Sequence, residues 1–291
     1  MTSVPLTLAV DQAFTAQLIA IARAAGDAIL AIYHAPETAN IQTKSDDSLL
    51  TAADLAAHNL IASELPKLLD VPMLSEESVL LSFAERKAWS PYWLIDPLDG
   101  TKEFIAGNGQ FTVNIALVVD GVPVLGVVHV PVTDETYFGV DKSIAKDQLT
   151  RAEKYLNGVK QSDLQTRSVA LRFANRESLD VLMSLRHGSD EQTALVAKLQ
   201  TRWPAPLNPL SAGSSLKFCW IAEGRADFYP RLAPTCEWDT AAAQAVLTAA
   251  GGKVVRADNL QPLRCNTQES LLNPFFLAMG DASFNWQSLL V

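Results

Sequence analysis

Apolar residues recur at helical spacing through the first third of the chain, and the pattern then changes to short β-rich runs. Over residues 11–33, Phe14, Leu18, Ile21, Ala25, Ile29 and Ile32 fall on one helical face, which predicts an amphipathic helix. His34-Ala-Pro36 ends it. A second helix is predicted over residues 51–69, with Leu55, Leu60, Ile61 and Leu65 toward the core and Pro66 breaking or kinking it. Residues 71–74, 92–95, 112–119 and 124–130 are short and rich in β-branched or aromatic side chains, and read as strands. Asp120-Gly121 marks a hairpin between the last two. Helices therefore precede a sheet that is at least partly antiparallel.

The second half mixes the two patterns more evenly. Residues 141–167 are polar and lysine-rich without a clear period, and read as a loop near a domain boundary. Residues 169–173 read as a strand, and 190–200 and 216–222 as helices. Residues 240–250 form an alanine-rich helix that Gly251-Gly252 closes in the manner of a left-handed C-cap. Residues 253–256 and 275–279 read as late strands. The expected organisation is an N-terminal α+β subdomain, residues 1–165, and a C-terminal α/β subdomain, residues 166–291.

Composition narrows the class. The chain has 291 residues, 48% of them hydrophobic, enough for sizeable cores. A net charge of −9 argues against a nucleic-acid polymer as partner. A small phosphorylated substrate remains compatible, because divalent cations can invert the field of an acidic site. The three cysteines, Cys219, Cys236 and Cys265, are widely spaced and form no CxxC pair, so they read as isolated reduced thiols. No apolar run reads as a bilayer span, and residues 1–10 lack a secretory pattern. The expectation is a cytoplasmic protein, with peripheral attachment to the inner membrane and the oligomeric state left open.

The candidate chemistry centres on Trp93-Leu-Ile-Asp96-Pro97-Leu98-Asp99-Gly100-Thr101. An apolar strand delivers two carboxylates three residues apart onto a turn shaped by Pro97 and Gly100, and a hydroxyl follows. A helix starting at Thr101 would add an anion site of free N–H groups. The alternative is an ordinary strand exit with two solvated aspartates. Asp54 on the second helix, Glu76 and Glu77 after the first strand, and Asp239 before the alanine-rich helix extend the acidic set. Each has an ordinary alternative: a solvated charge for the first three, an N-cap for Asp239. An oxygen-only donor set without clustered histidines selects Mg²⁺, Mn²⁺ or Ca²⁺ over zinc. His34, His58, His129 and His187 are scattered and read as surface or core packing.

In combination these motifs resemble the inositol monophosphatase superfamily of lithium-sensitive, magnesium-dependent phosphatases. The resemblance rests on the nonapeptide above and on Trp238-Asp239-Thr-Ala-Ala-Ala-Gln-Ala-Val-Leu-Thr-Ala-Ala-Gly251-Gly252. Within the superfamily it is nearest to the bacterial 3′(2′),5′-bisphosphate nucleotidases of the CysQ type. Lys44-Ser-Asp46 through Asp54, Leu74-Ser-Glu76-Glu77, Asp99-Gly-Thr-Lys102-Glu103-Phe104-Ile105 and Gly213-Ser-Ser-Leu-Lys217 carry that likeness, extended by the segment from Ala222 to Arg231.

The resemblance implies a layered α-β-α-β-α sandwich with its site between the two subdomains. It implies two Mg²⁺ ions, or three. Glu76, Asp96 and the Leu98 carbonyl would hold the first, and Asp96, Asp99 and Asp239 the second. Asp54 and Thr101 would orient the attacking water, and the Gly100 and Thr101 N–H groups, with Asp239 nearby, would hold the scissile phosphate. Glu77 would support its neighbours. Lys217 and Arg231 would read a second phosphate. Ser214 and Ser215 would bond ribose or phosphate, and Tyr229 would stack on a base.

Two segments depart from the pattern. Residues 142–167 lack the short Gly-Ala hairpin of relatives, and residues 174–177, Ala-Asn-Arg-Glu, replace a Ser-Arg-Ser-His-like segment on the nucleotide side of the site. The implied activity is hydrolysis of 3′-phosphoadenosine 5′-phosphate to AMP, with its sulfated analogue as a second substrate, in sulfur assimilation and nucleotide recycling. An inositol or sugar monophosphatase with the same metals is the enzymatic alternative. A non-catalytic regulator that binds a phosphometabolite is the alternative of another class.

Overall fold

Buried apolar side chains collect in three cores divided by two β-sheets. The computed structural model describes residues 9–35, 39–40, 42–43, 49–79, 81–183 and 190–290. In chain order the elements are α1 (Gln12–Tyr33), β1 (Gln42–Thr43), β2 (Leu49–Leu50), α2 (Ala52–Leu68), β3 (Met73–Ser75), α3 (Phe83–Arg86), β4 (Tyr92–Asp99), α4 (Thr101–Ile105), β5 (Thr112–Val119), β6 (Val122–Val130) and β7 (Glu135–Val140). They continue with β8 (Arg151–Leu156), β9 (Val159–Asp163), α5 (Val169–Ala174), β10 (Leu179–Met183), α6 (Asp190–Arg202), β11 (Leu207–Ser211), α7 (Leu216–Ala222), β12 (Phe228–Arg231), α8 (Ala241–Ala249), β13 (Lys253–Arg256), β14 (Phe276–Met279) and α9 (Gln287–Leu290).

The first sheet runs in the order β3-β4-β5-β6-β7-β8-β9, with only the β3–β4 pair parallel. The second runs β11-β10-β12-β14-β13, parallel at one end and antiparallel at the other. Alternate strand residues enter different cores: Trp93, Ile95, Ile115 and Val127 join α1 and α2, while Tyr92, Leu94, Ala116 and Val128 join α7 and α8. The second sheet divides likewise, Val254 and Ala278 inward and Val255 and Leu277 toward α5, α6 and α9. The result is the expected α-β-α-β-α stack. Because both faces of the central strands are covered, β4, β5 and β6 read as near-continuous apolar runs rather than alternating ones.

α8 lies in the middle layer, and two glycines let it approach the sheet. Gly126 and Gly139 sit opposite each other on β6 and β7. A Cβ on Gly126 would fall 2.0 Å from the Ala242 carbonyl oxygen, and one on Gly139 would fall 2.5 Å from Val246 Cα. The alanine-rich face of α8 needs that floor. The helix ends as expected: the Gly251 N–H bonds Thr248 O and the Gly252 N–H bonds Leu247 O, the paired closure of a Schellman motif.

Several expectations are corrected. Residues 141–167 are loop only at their two ends: between them β8 and β9 form a hairpin turned at Asn157-Gly158, both with positive φ. All of β9 is exposed at the sheet edge, so its lysine and aspartate leave no apolar period. Residues 169–173 are helical, because Ser168 caps the Leu171 N–H at 3.3 Å, and a five-residue apolar run does not discriminate helix from strand. The helix α2 continues through Pro66 to Leu68, and Leu55 is exposed rather than in the core. The strands β7, β10, β11 and β12 were not expected. α1 is long and apolar enough, by length and composition, to cross a bilayer; here its apolar side chains pack against α2 and the first sheet. Residues 44–48 and His187 lie outside the described residues.

Candidate metal centre and substrate cleft

β4 does not stop at Ile95 but runs on to Asp99, and its irregularity positions the two aspartates. Residues three apart on a regular strand point to opposite faces. Here Asp96 pairs with Asn114 and Asp99 with Thr112, three residues on β4 against two on β5. This bulge returns both aspartates to one side. Pro97, which cannot donate to a ladder, occupies the bulge, and the Leu98 N–H turns back onto Asp96 Oδ1 at 3.0 Å.

Other elements complete the group. Glu76 follows β3, and its N–H bonds the Ile95 carbonyl at 3.1 Å, which places it beside Asp96. Asp54 lies in the first turn of α2, where its carboxylate accepts from the Thr51 N–H at 2.8 Å and hydroxyl at 2.6 Å. Asp239 is not an N-cap: Thr240 holds that position, and Asp239 Oδ2 accepts from the Cys236 N–H at 2.9 Å. Carboxylate oxygens of Glu76, Asp96 and Asp239 lie within 4.8 Å of one another. Asp54 lies in the first turn of α2, α4 starts two residues after Asp99, Ser215 precedes α7, and α8 starts two residues after Asp239.

The electrostatics fit a hard divalent cation. Burial and the like charges of Glu76, Asp99, Asp239 and Asp54 push the Asp96 carboxyl well above the usual range. Burial, Asp99 and Glu76 do the same to Asp239. Carboxylates this close hold their charge only with cations between them, and an all-oxygen set suits Mg²⁺, Mn²⁺ or Ca²⁺.

A cleft of about 180 Å³ opens beside Asp99 and Asp239. Gly100, Lys102, Glu103, Gln110, Ser214, Ser215, Lys217, Tyr229 and Arg231 are among its walls. Lys217 is no solvated charge. It is buried, donates to the Ser214 carbonyl at 3.2 Å, and stands 5.5 Å from the Tyr229 ring centroid. Burial lowers its pKa to about 8, against the pull of Asp99. The nearby Arg231 contributes to that lowering, and donates to the Pro234 carbonyl at 2.9 Å. Tyr229 is buried, edge-on to Phe218.

The two serines have protein partners. The hydroxyls of Ser214 and Ser215 turn toward Asp99, at 2.5 and 3.0 Å from its Oδ2. Residues 174–177 do not line the cleft. Thr112, Asn114 and Gln110 were missed by the sequence reading. Polar residues two apart within the otherwise apolar β5 were the available signal for the first two. The histidines hold no metal cluster among the described residues: His58 bonds Ser75 and His129 bonds Thr136, each at 2.9 Å.

Fold and site together define a phosphatase-type scaffold with a carboxylate metal centre, and the chain belongs to the inositol monophosphatase family, which its residues 11–276 match. The family is metal-dependent, and the acidic group is where a metal fits. The chain is 42% identical over 261 residues to the 3′(2′),5′-bisphosphate nucleotidase CysQ of Salmonella typhimurium, covering 89% of this chain and 97% of that one. It is 34% identical over 275 residues to the protein of the same name from Haemophilus influenzae, covering 94% and 95%. The crystal structure of CysQ from Bacteroides thetaiotaomicron, a bacterial member of the family, superposes with a TM-score of 0.74 at 38% identity, covering 93% and 98% of the two chains.

Proposed function

We propose that this protein is a Mg²⁺-dependent phosphatase that removes the 3′-phosphate of 3′-phosphoadenosine 5′-phosphate, releasing AMP and phosphate, with the sulfated analogue as a second substrate. The observation that carries the reading is the cleft itself: carboxylates gather at one end, while Lys217 and Arg231 stand together on its wall. A bisphosphate has one phosphate for each. The likeness to the bisphosphate nucleotidases supports the same choice.

Glu76, Asp96 and the Leu98 carbonyl are assigned to a first Mg²⁺, Asp96, Asp99 and Asp239 to a second, and Asp54 to a weaker third. When bound, these ions would acidify a water and neutralise phosphoryl charge. Asp54, held by Thr51, and Thr101, at the start of α4, are assigned to orienting that water for in-line attack. The new P–O bond forms as the 3′ ester bond breaks. The Gly100 and Thr101 N–H groups hold the scissile phosphate, and Lys217 and Arg231 the 5′-phosphate. Little covalent chemistry falls to the protein, whose work is position and charge. The three cysteines form no disulfide, which suits a reducing cytoplasm; peripheral membrane attachment finds no support.

The test is kcat/KM for 3′-phosphoadenosine 5′-phosphate, its sulfated analogue, inositol 1-phosphate and fructose 1,6-bisphosphate, with Mg²⁺ and after chelation. The nucleotide should lead by at least an order of magnitude, and chelation should abolish turnover. A lead for inositol phosphate would replace the substrate. No metal-dependent turnover on any of them would favour the binding protein.

A further inference from the structure

Asp99 is gripped by one oxygen only. Its Oδ2 lies 2.5 Å from Ser214 Oγ, 2.8 Å from the Ser215 N–H, 3.0 Å from Ser215 Oγ and 3.5 Å from Asn114 Nδ2. Among the described residues no donor reaches Oδ1. Oδ2 is therefore the oxygen that the protein holds, and Oδ1 is the one left for a cation.

Ser215 does a second thing. Its single hydroxyl proton is shared between Asp99 Oδ2 and the Asp239 main-chain carbonyl, 2.6 Å away. Asp99 belongs to the first sheet, and Asp239 to the turn before α8, 140 residues later in the chain. One buried hydroxyl thus ties the two together. Asn114 orients that hydroxyl by donating Nδ2 to it at 3.0 Å. Thr112 completes the arrangement, 3.1 Å from Asn114 Oδ1 and 2.6 Å from Ser214 Oγ. Thr112, Asn114 and Ser215 are all buried, so none of these groups has bulk water as a partner, and loss of one leaves others unsatisfied.

We propose that Ser215, seated by Asn114, is a positioning residue that fixes Asp99 of the first sheet against Asp239 in the turn before α8 and thereby sets divalent-cation affinity, rather than a group that binds substrate. Partners of this kind behind a ligand typically change affinity or activity by about 10–100-fold. The inference rests on the phosphatase reading only for its turnover arm; cation binding reports on it whatever the substrate.

The experiment measures Mn²⁺ binding to metal-stripped protein by electron paramagnetic resonance, alongside kcat and KM for the bisphosphate, in wild type, Ser215→Ala and Ser215→Thr. Ser215→Ala is expected to bind Mn²⁺ about tenfold more weakly and to lose about tenfold in kcat, with KM changed less than twofold. Ser215→Thr keeps the hydroxyl and is expected to recover most of both. Unchanged Mn²⁺ affinity in folded Ser215→Ala overturns the inference, as does a raised KM with kcat intact, which would put the hydroxyl on the substrate. If Ser215→Ala does not fold, Asn114→Ala carries the same expectations and the same overturning results. A wild type that binds no Mn²⁺ would sink the metal assignment itself, an outcome distinct from equal binding by wild type and variant.

Discussion

At the scale of single residues, the site divides into groups that hold charge and groups that hold those groups. Asp99 is the clearest case, because its surroundings grip one oxygen and leave the other. Asp99→Asn replaces an anionic oxygen without changing volume. It should lower kcat at least about a hundredfold while circular dichroism and the thermal midpoint stay near wild type, and near-normal phosphate release would remove Asp99 from the site. Lys217 makes a different claim. Its burial and its neighbour Arg231 weaken its hold on a proton, so it gains from an anion. Lys217→Ala should raise KM for the bisphosphate at least about tenfold, and for a monophosphate far less. Equal effects on both substrates would show that it does not read the second phosphate. The acidic residues were legible in the sequence as a set. The engagement of Ser214 and Ser215 with Asp99 was not, because a Gly-Ser-Ser run says nothing about which way a hydroxyl turns.

At the scale of elements, close packing of α8 is what brings Asp239 to the other carboxylates. The paired glycines of β6 and β7 allow it. Gly126→Ala forces a methyl group into the α8 backbone. It should destabilise the protein by about 1–3 kcal/mol in denaturant melts, and it should lower activity by more than the unfolded fraction explains, since α8 must move and Asp239 with it. The long helices and the apolar strands β4, β5 and β6 were readable because period and burial agree, whereas β7, β10 and β12 are buried but short and interrupted by polar residues, glycine or proline. The β8–β9 hairpin was hidden by its exposed edge, and α5 by its brevity. Asn157-Gly158 was the signal that could have exposed the hairpin.

At the scale of the whole molecule, three cores and two sheets are held in one stack, and its stability should answer to pH and to metal. His129 is buried, and its pKa falls to about 4 because burial disfavours the charged ring. Unfolding frees it to protonate near its ordinary value of about 6.5, so the folded state loses ground as pH falls from there toward 4. The loss attributable to this group is about 3 kcal/mol. Denaturant midpoints of wild type and His129→Gln at pH 7 and pH 4.5 should converge at the lower pH. Divalent cations should act in the other direction. A site present only in the folded chain gives stabilisation that grows with free cation, so the melting temperature of stripped protein should rise with Mg²⁺ and fall back with chelator. No rise at millimolar Mg²⁺ would count against the carboxylate centre. The sequence by itself determined the apolar periods, the order of helices before strands and the identity of the acidic residues, because these depend on side-chain type and spacing along the chain. Only the tertiary structure decided that a bulge turns Asp96 and Asp99 to one side, that α8 lies close enough to add Asp239, and that buried hydroxyls serve a carboxylate. Those are distances between segments far apart in the chain, and packing fixes them.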